Sequence, residues 1–426
     1  MMNGLDTLEY SGEGYSRIVS GAKWAVAALN YASRFDERNI VELERHNLTD
    51  ETFVLLSGKA TLIVGEKAER VEMEPLKFYN VRAGAWHNIF VSHDARVLVA
   101  ENADTSKANT DYLDLKTGRI AKKHPPFEEV LPGTYLLKVP FGPVWTGILL
   151  VMGERNFIVD SSHAEPEAFL IPALADLGLA PSDIDWLLCT HVHGDHIGGH
   201  HALHERYGVK VATLDSAADA LRDPVKVAIR VRTRFPENSP PPQSFLKGVE
   251  PDRVLKEGEL LDGRFRAIAA PGHDDDCLVW LDTFTGTAFT GDSLQANGTV
   301  CQGVAFYRDL PAYRRTLAKL AGEKIENIVC GHDYDGIGSV MRGRDAVAWA
   351  IGYSEERVRL YGERIAAYLK EGTPVEKEPV SLARRLICDV GCGMPESLFL
   401  ALHTVSEHLR QPLPTSDSAT AAQGLA

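Results

Sequence analysis

Apolar and polar positions follow two regimes along the 426 residues. From about residue 38 to 103 short β-type runs dominate: NIVELERH, ETFVLLSG, KATLIVG, KFYNVRAG, HNIFV and ARVLVAEN. Gly, Asn and Asp separate them, so residues 1–105 are expected to form an all-β sandwich or barrel domain. Residues 106–128 are polar and contain Pro-Pro, which predicts a linker. From about residue 130 strands alternate with helices. GILLVMG and NFIVDSS predict a hairpin, EPEAFLIPALADLGL an amphipathic helix, and DIDWLLCTH a buried strand ending at His191. KVATL, RFRAIAAPGH, CLVWLD, TAFTGD and IENIVCGH read as further strands and PAYRRTLAKLAG as a helix. Residues 129–372 are therefore expected to be one α/β domain.

A long helix over about 342–371 carries Val358, Ile365 and Leu369 on one face. Residues 373–412 predict a small helical segment, with Leu398, Leu402, Val405 and Leu409 aligned near 396–410, and residues 413–426 a disordered tail. The charged, proline-rich stretch 221–250 reads as a solvated insertion. The alternative is a lid whose RDPVKVAIRVRTR run recognises a substrate carboxylate or phosphate.

Composition narrows the classes. With 44% hydrophobic and 24% charged residues a packed core is expected nearly throughout. A formal charge of −14 disfavours nucleic acid and anionic membranes, which need clustered Lys and Arg. The first residues lack the pattern of a secretory signal and no apolar run approaches membrane-spanning length, so a cytoplasmic protein without a membrane partner is expected. Cys189, Cys277, Cys301, Cys330, Cys388 and Cys392 are sparse and predict reduced, mostly buried thiols. Cys388 and Cys392 are four apart, but Asp-Val-Gly between them argues against a shared helix and a redox role.

The candidate chemistry begins at residues 190–199, Thr-His-Val-His-Gly-Asp-His-Ile-Gly-Gly, directly after an apolar strand. Alternation turns His191 and His193 to one point, and the Gly194 bend presents Asp195 and His196 to a second. Imidazole and carboxylate suit zinc, and also iron or manganese. His200, His201 and His204 are expected to be structural. Further ligand candidates are His273 in Ala-Pro-Gly-His, Asp292 in Phe-Thr-Gly-Asp and His332 in Cys-Gly-His, each following a β-type run and a small turn residue. Tyr307 and Tyr334 are candidate hydrogen-bond donors to a substrate oxygen, with packing the preferred role.

These motifs resemble the metallo-β-lactamase superfamily over about residues 130–340. The resemblance implies an αββα sandwich in which His191, His193 and His273 hold one metal, Asp195, His196 and His332 a second, and Asp292 bridges both. It implies a hydrolase that cleaves an ester, thioester, lactone or related acyl bond of a small molecule through a bridging hydroxide, with Asp195 and Asp292 catalytic and zinc the expected ion. Residues 290–332 look most like the lactamase-beta-2-like branch, whose winged-helix-like end residues 373–412 match loosely. Where the family has His-Thr-Pro-Gly this chain has His-Asp-Asp-Asp, so Asp274 to Asp276 are expected to alter the turn or hold the His273 ring.

In the first domain His46, Glu51, Gly58 and His87 resemble the two motifs of the cupin family, a small β-barrel. Glu44 stands where the first histidine would, and Arg82 replaces a proline. Glu44, His46, Glu51 and His87 are the candidate ligands of an additional divalent metal. The alternative is a metal-free barrel that binds a ligand, mediates homodimerisation or shields the hydrolase. Competing functions are a nuclease of the same fold, a mononuclear iron oxygenase acting on a thiol, and a sensor with an idle hydrolase.

Overall fold

Period-2 alternation in the first part of the chain produces sheets, as expected. The computed structural model describes all residues except 1–5, 22–23, 47–48, 104, 106–109, 119, 122–123, 375–376 and 412–426. The chain divides into two compact units: residues 1–125 with 167–173, and residues 126–166 with 174–426. The predicted tail at 413–426 lies outside the described residues.

The first unit is all-β. One sheet has the order Tyr15–Ser20, Ala25–Asn30, Arg96–Glu101, Glu51–Ser57, Phe78–Val81. The other runs Ile120–Ala121, Thr110–Asp114, Glu42–His46, His87–Val91, Ala60–Val64, Glu69–Glu72, and all pairings are antiparallel. Leu29, Phe53, Leu55 and Val99 from the first sheet pack with Leu62 and Ile89 from the second in one core. The strands Tyr15–Ser20 and Ala25–Asn30 lie before the region read as β-rich, because Ala-rich AVAALN carries a weak strand signal.

Thr110–Asp114 corrects the linker expectation: it is a strand paired with Glu42–His46. Its polar residues are satisfied across the pair. Asp111 sits 2.7 Å from Arg45, and Thr110 Oγ1 lies 2.8 Å from His46 Nδ1. Polarity here reflects cross-strand bonding, which composition alone reads as a loop. Residues 106–109, 119 and 122–123 of the expected linker lie outside the described residues, and its last residues open the strand Phe127–Leu131.

In the second unit a seven-stranded sheet has the order Phe127–Leu131, Thr134–Phe141, Val144–Val151, Phe157–Val159, Trp186–Leu188, Lys210–Leu214, Arg253–Leu255. A six-stranded sheet follows: Leu260–Leu261, Phe265–Ala269, Leu278–Asp282, Thr287–Gly291, Asn327–Tyr334, Gly338–Arg342. Leu136, Leu149 and Phe157 of the first sheet pack with Phe265, Trp280 and Phe289 of the second. The other face of the second sheet is covered by the helices Leu310–Gly322, Arg344–Lys370, Pro379–Val390 and Phe399–Arg410 through one apolar cluster. On the first sheet, helices His200–Tyr207 and Asp215–Arg222 lie against strand Lys210–Leu214. The result is an α/β sandwich.

Two further expectations change. Leu382, Leu386, Leu402 and Val405 are buried in the same cluster as Val279 and Ile328, so the C-terminal helices extend the sandwich core. Stretch 221–250 is not a plain solvated insertion, because it contains the helix Pro224–Thr233 with Val227, Ala228 and Val231 buried. The cysteines are unpaired, and the helix carrying Cys388 ends at Val390, short of Cys392.

Leu402→Ala is expected to cost about 2–5 kcal/mol, as a fully buried Leu truncation does. Denaturant unfolding of the variant checks this. A loss near zero would show that the helix Phe399–Arg410 contributes little to the core.

Candidate metal centre

The ligand candidates converge because strand ends converge. Three parallel strands, Phe157–Val159, Trp186–Leu188 and Lys210–Leu214, end on one rim of the first sheet, and His191 follows the second of them. His193 caps the short helix Gly194–Ile197, which carries Asp195 and His196. In the second sheet Thr287–Gly291 runs parallel to Asn327–Tyr334, bringing Asp292 beside His332. His273 follows Phe265–Ala269 through Gly272, whose φ of +136° and whose closeness to the Tyr313 backbone, 2.4 Å from where a Cβ would stand, both require glycine.

The donors fall into two groups, His191 with His193 and His273, and Asp195 with His196 and His332. Asp292 joins them. Its Oδ2 lies 3.5 Å from His273 Nε2, while its Oδ1 lies 3.3 Å from His196 Nε2 and 3.6 Å from His332 Nε2. Asp195 Oδ2 is 3.2 Å from His332 Nε2. His191, His196, His273, Asp292 and His332 are buried, whereas His193 and Asp195 are half-buried on the pocket wall.

The far ring nitrogens of these histidines are already engaged, and that fixes which atoms face inward. His273 Nδ1 donates to Phe306 O at 2.9 Å, His332 Nδ1 to Trp145 O at 2.7 Å, and His196 Nδ1 to Asp160 Oδ2 at 2.8 Å. His193 Nε2 donates to Asp274 Oδ2 at 3.0 Å. The remaining nitrogens face one another: His193 Nδ1 and His273 Nε2 at 3.0 Å, His196 Nε2 and His332 Nε2 at 3.3 Å. His191 Nε2 and Asp292 Oδ1 are buried without a hydrogen-bond partner. Such an arrangement is costly unless a cation sits among the donors, so the residues fit a pair of metal ions.

The electrostatics agree. Burial, with His196 and His193 nearby, pushes His191 well below the usual histidine range and keeps it a neutral donor. Burial opposes charge on His196 and His332, yet the Asp292 and Asp195 carboxylates outweigh it and raise both. Burial likewise opposes ionised Asp292, and His332 and His196 hold its carboxyl well below the usual range. The centre favours added positive charge.

Residues 140–332 match the model of the Metallo-beta-lactamase superfamily. This stretch is a metallo-β-lactamase superfamily domain. Among curated relatives, "Beta-lactamase-like protein 2 homolog" of Drosophila melanogaster is 28% identical over 184 residues, 43% of this chain and 56% of that protein. "Hydroxyacylglutathione hydrolase" of Chelativorans sp. (strain BNC1) is 26% identical over 230 residues, 53% of this chain and 75% of that protein. The chain thus spans between about half and three quarters of the relatives it matches here. A crystal structure of a metallo-beta-lactamase family protein from Thermus thermophilus superposes with a TM-score of 0.51 at 22% identity, covering 66% of this chain and 93% of that one.

Asp160 is the functional residue that sequence reasoning missed. It holds a left-handed φ of 58° and accepts from Thr190 N at 2.9 Å, Thr190 Oγ1 at 2.6 Å and His196 Nδ1. Its only signal was an Asp after a strand, in IVDSS. Asp274 also differs from expectation. It holds His193, not His273, while Arg230 and Arg308 bind its other oxygen. Asp276 accepts from Val192 N at 2.7 Å, and burial, then the Asp274 charge, pushes its carboxyl up to about 6.

Of the remaining candidates only Tyr334 borders the donor groups, with its ring 6.0 Å from that of His332 and its hydroxyl toward Asp292. His200 Nδ1 bonds Ser161 Oγ, His201 Nδ1 bonds Gly248 O, and His204 pairs with Glu205. Tyr307 is fully buried against His408 at 2.6 Å and Tyr334 accepts from Gln295 at 3.1 Å, and neither is on the pocket wall. In the first unit Glu44, His46 and His87 bring ligand atoms together. Glu51 Oε2 lies 3.1 Å from His46 Nε2 and 2.8 Å from His87 Nε2. All four line a cavity of about 160 Å³.

Two variants test the centre. Asp160→Ala is expected to weaken metal binding by about 10–100-fold, since it frees the His196 ring. In Gly331→Ala the new Cβ would stand 2.7 Å from His196 Cε1 and 3.0 Å from Asp292 Oδ1, so bound metal should fall while the fold persists. Metal titration with circular dichroism checks both, and full occupancy in either would count against the assignment.

Proposed function

We propose that this chain is a dinuclear metal hydrolase, with zinc the expected pair, that cleaves the acyl bond of a small molecule, a thioester before an ester, lactone or β-lactam. The observation that carries this is the split Asp292 carboxylate, one oxygen toward each donor group. When bound, two divalent ions acidify water toward neutral pH and polarise the carbonyl to be attacked. His191, His193 and His273 would hold one, Asp195, His196 and His332 the other, with Asp292 between the two groups. Asp195 and Asp292 open onto the pocket, where they orient the attacking water.

The pocket of about 510 Å³ is of small-molecule size. Phe141, Val144, Phe306 and Phe399 give it apolar walls that exclude water from an acyl group. The name of the Chelativorans relative, an acylglutathione hydrolase, supports a thioester. The −14 charge weighs against the nuclease. Completeness of the second donor group weighs against the one-iron oxygenase and the idle-hydrolase sensor.

We also read the first unit as a cupin-like barrel, supported by its stacked antiparallel sheets around Glu44, His46, Glu51 and His87. Glu51 bonds the His46 and His87 rings and Glu44 brings a further carboxylate to them, so an additional divalent metal, ligand binding and homodimerisation are its proposed roles. The unpaired thiols support a cytoplasmic location. Among the described residues no helix is long and apolar enough to cross a membrane.

His332→Ala is expected to retain one ion and lose turnover of a thioester by orders of magnitude, because the water loses one of the ions that acidify it. Metal content, thioester cleavage and oxygen uptake are measured together. Oxygen consumption at the wild-type rate in the variant would overturn hydrolysis in favour of the oxygenase.

A further inference from the structure

Five basic side chains lie in the run 222–234, and four have carboxylate partners. Arg222 pairs with Glu250 at 2.8 Å and Asp219 at 2.7 Å, Lys226 with Asp223 at 2.8 Å, Arg230 with Asp274 at 2.6 Å, and Arg234 with Glu407 at 3.0 Å. Arg232 has no ion pair among the described residues. It is half-buried on the helix Pro224–Thr233 and lies on the wall of the pocket that holds the metal centre. One Nη1 proton goes to Ala228 O at 2.9 Å on its own helix, and its Nε is buried without a partner. The guanidinium carbon stands 5.8 Å from the Phe399 ring centre, beside an apolar part of the wall.

A half-desolvated guanidinium always carries its charge, and five fixed donors with one used are poorly served by water at a buried Nε. Burial pushes its pKa down, and Asp195 across the pocket is the nearby charge that pulls it back up. Asp195 is committed to the donor group with His196 and His332, so it leaves the fork of Arg232 free. The other carboxylate on that part of the wall, Glu396, is exposed and screened by solvent. The neighbouring basic residues anchor the helix, and this one is left facing the cavity.

We propose that Arg232 is the specificity determinant of the pocket, binding an oxyanion, carboxylate or phosphate, carried by the substrate at a distance from the bond that is cleaved. This rests on the acyl-hydrolase reading and names its substrate class as an anionic thioester. A carboxylate in the pocket pairs with the terminal nitrogens of the guanidinium, and the apolar wall strengthens the pair. Arg232 touches no reacting atom in this scheme and acts through binding.

Three thioesters test it. Succinyl-N-acetylcysteamine carries its carboxylate on the acyl side, butanoyl-glutathione on the thiol side, and butanoyl-N-acetylcysteamine is neutral. Arg232→Gln is expected to raise KM by about tenfold or more for a charged thioester with kcat little changed. The neutral thioester should be unaffected, Arg232→Lys should restore part of the loss, and metal content should stay constant. Whichever charged thioester responds assigns the side of the anion. An equal loss for all three, or no change in any, would overturn the proposal. If the wild type cleaves none of the three, the acyl-hydrolase reading fails, and succinate titrated calorimetrically into the metal-loaded protein decides the oxyanion site alone. Binding that disappears in Arg232→Gln supports it, and absent or equal binding in both proteins overturns it.

Discussion

Four imidazoles that aim their inner nitrogens at one another impose the constraint on which the rest of the second unit depends. Each of their outward nitrogens is fixed by a donor-acceptor pair, to Phe306 O, Trp145 O, Asp160 or Asp274. The rings therefore cannot turn to relieve the inward contact without losing a buried hydrogen bond. The fold holds the donors in place in advance, and a cation bound among them would complete the charge balance. Such advance ordering is what makes a metal site both tight and geometrically exact in its demands on the scaffold.

The supports come from elements distant in sequence, so the site is a product of the two sheets together. Asp160 ends one parallel strand and steadies the loop after the next through Thr190, while Trp145 O reaches across to His332 from a third strand. The basic helix Pro224–Thr233 adds a polar link from the other side. Arg230 and Arg308 neutralise one oxygen of buried Asp274, leaving the second for His193. A carboxylate buried this deeply is tolerable only with such pairing. The triple-Asp departure from the usual motif is thereby explained as structure, through Asp274 and through Asp276 on Val192 N.

Much of this was legible in the sequence because metal ligands are chemically rare and placed at strand ends. His191, His193, Asp195, His196, His273, Asp292 and His332 all arrive at one centre, and the long helix ends near its expected bounds. What escaped notice were residues whose role depends on a partner far away. Asp160 looks like an ordinary turn carboxylate until the loop at Thr190 folds over it. Thr110–Asp114 looks like a linker until Arg45 and His46 are opposite it. The helix Pro224–Thr233 looks solvated because its charges are conspicuous, while Val227, Ala228 and Val231, three small apolar residues, form its buried face.

The C-terminal helices show how stability and selectivity share one set of contacts. Leu382, Leu386, Leu402 and Val405 bury into the core behind the second sheet, and Phe399 on the same terminal helix emerges on the pocket wall against Arg232. His403 Nε2 donates to Val231 O at 2.8 Å, and Glu407 binds Arg234, so that helix is tied to the basic helix at two points. A change in the packing of Leu402 therefore reaches the wall beside Arg232 and also the loop that holds the His273 ring, because Thr404 Oγ1 donates to Ala305 O and accepts from Tyr307 N on either side of Phe306. Selectivity and the orientation of His273 both depend on how the terminal helix seats, whereas His196 is held by Asp160 and His332 by Trp145 O.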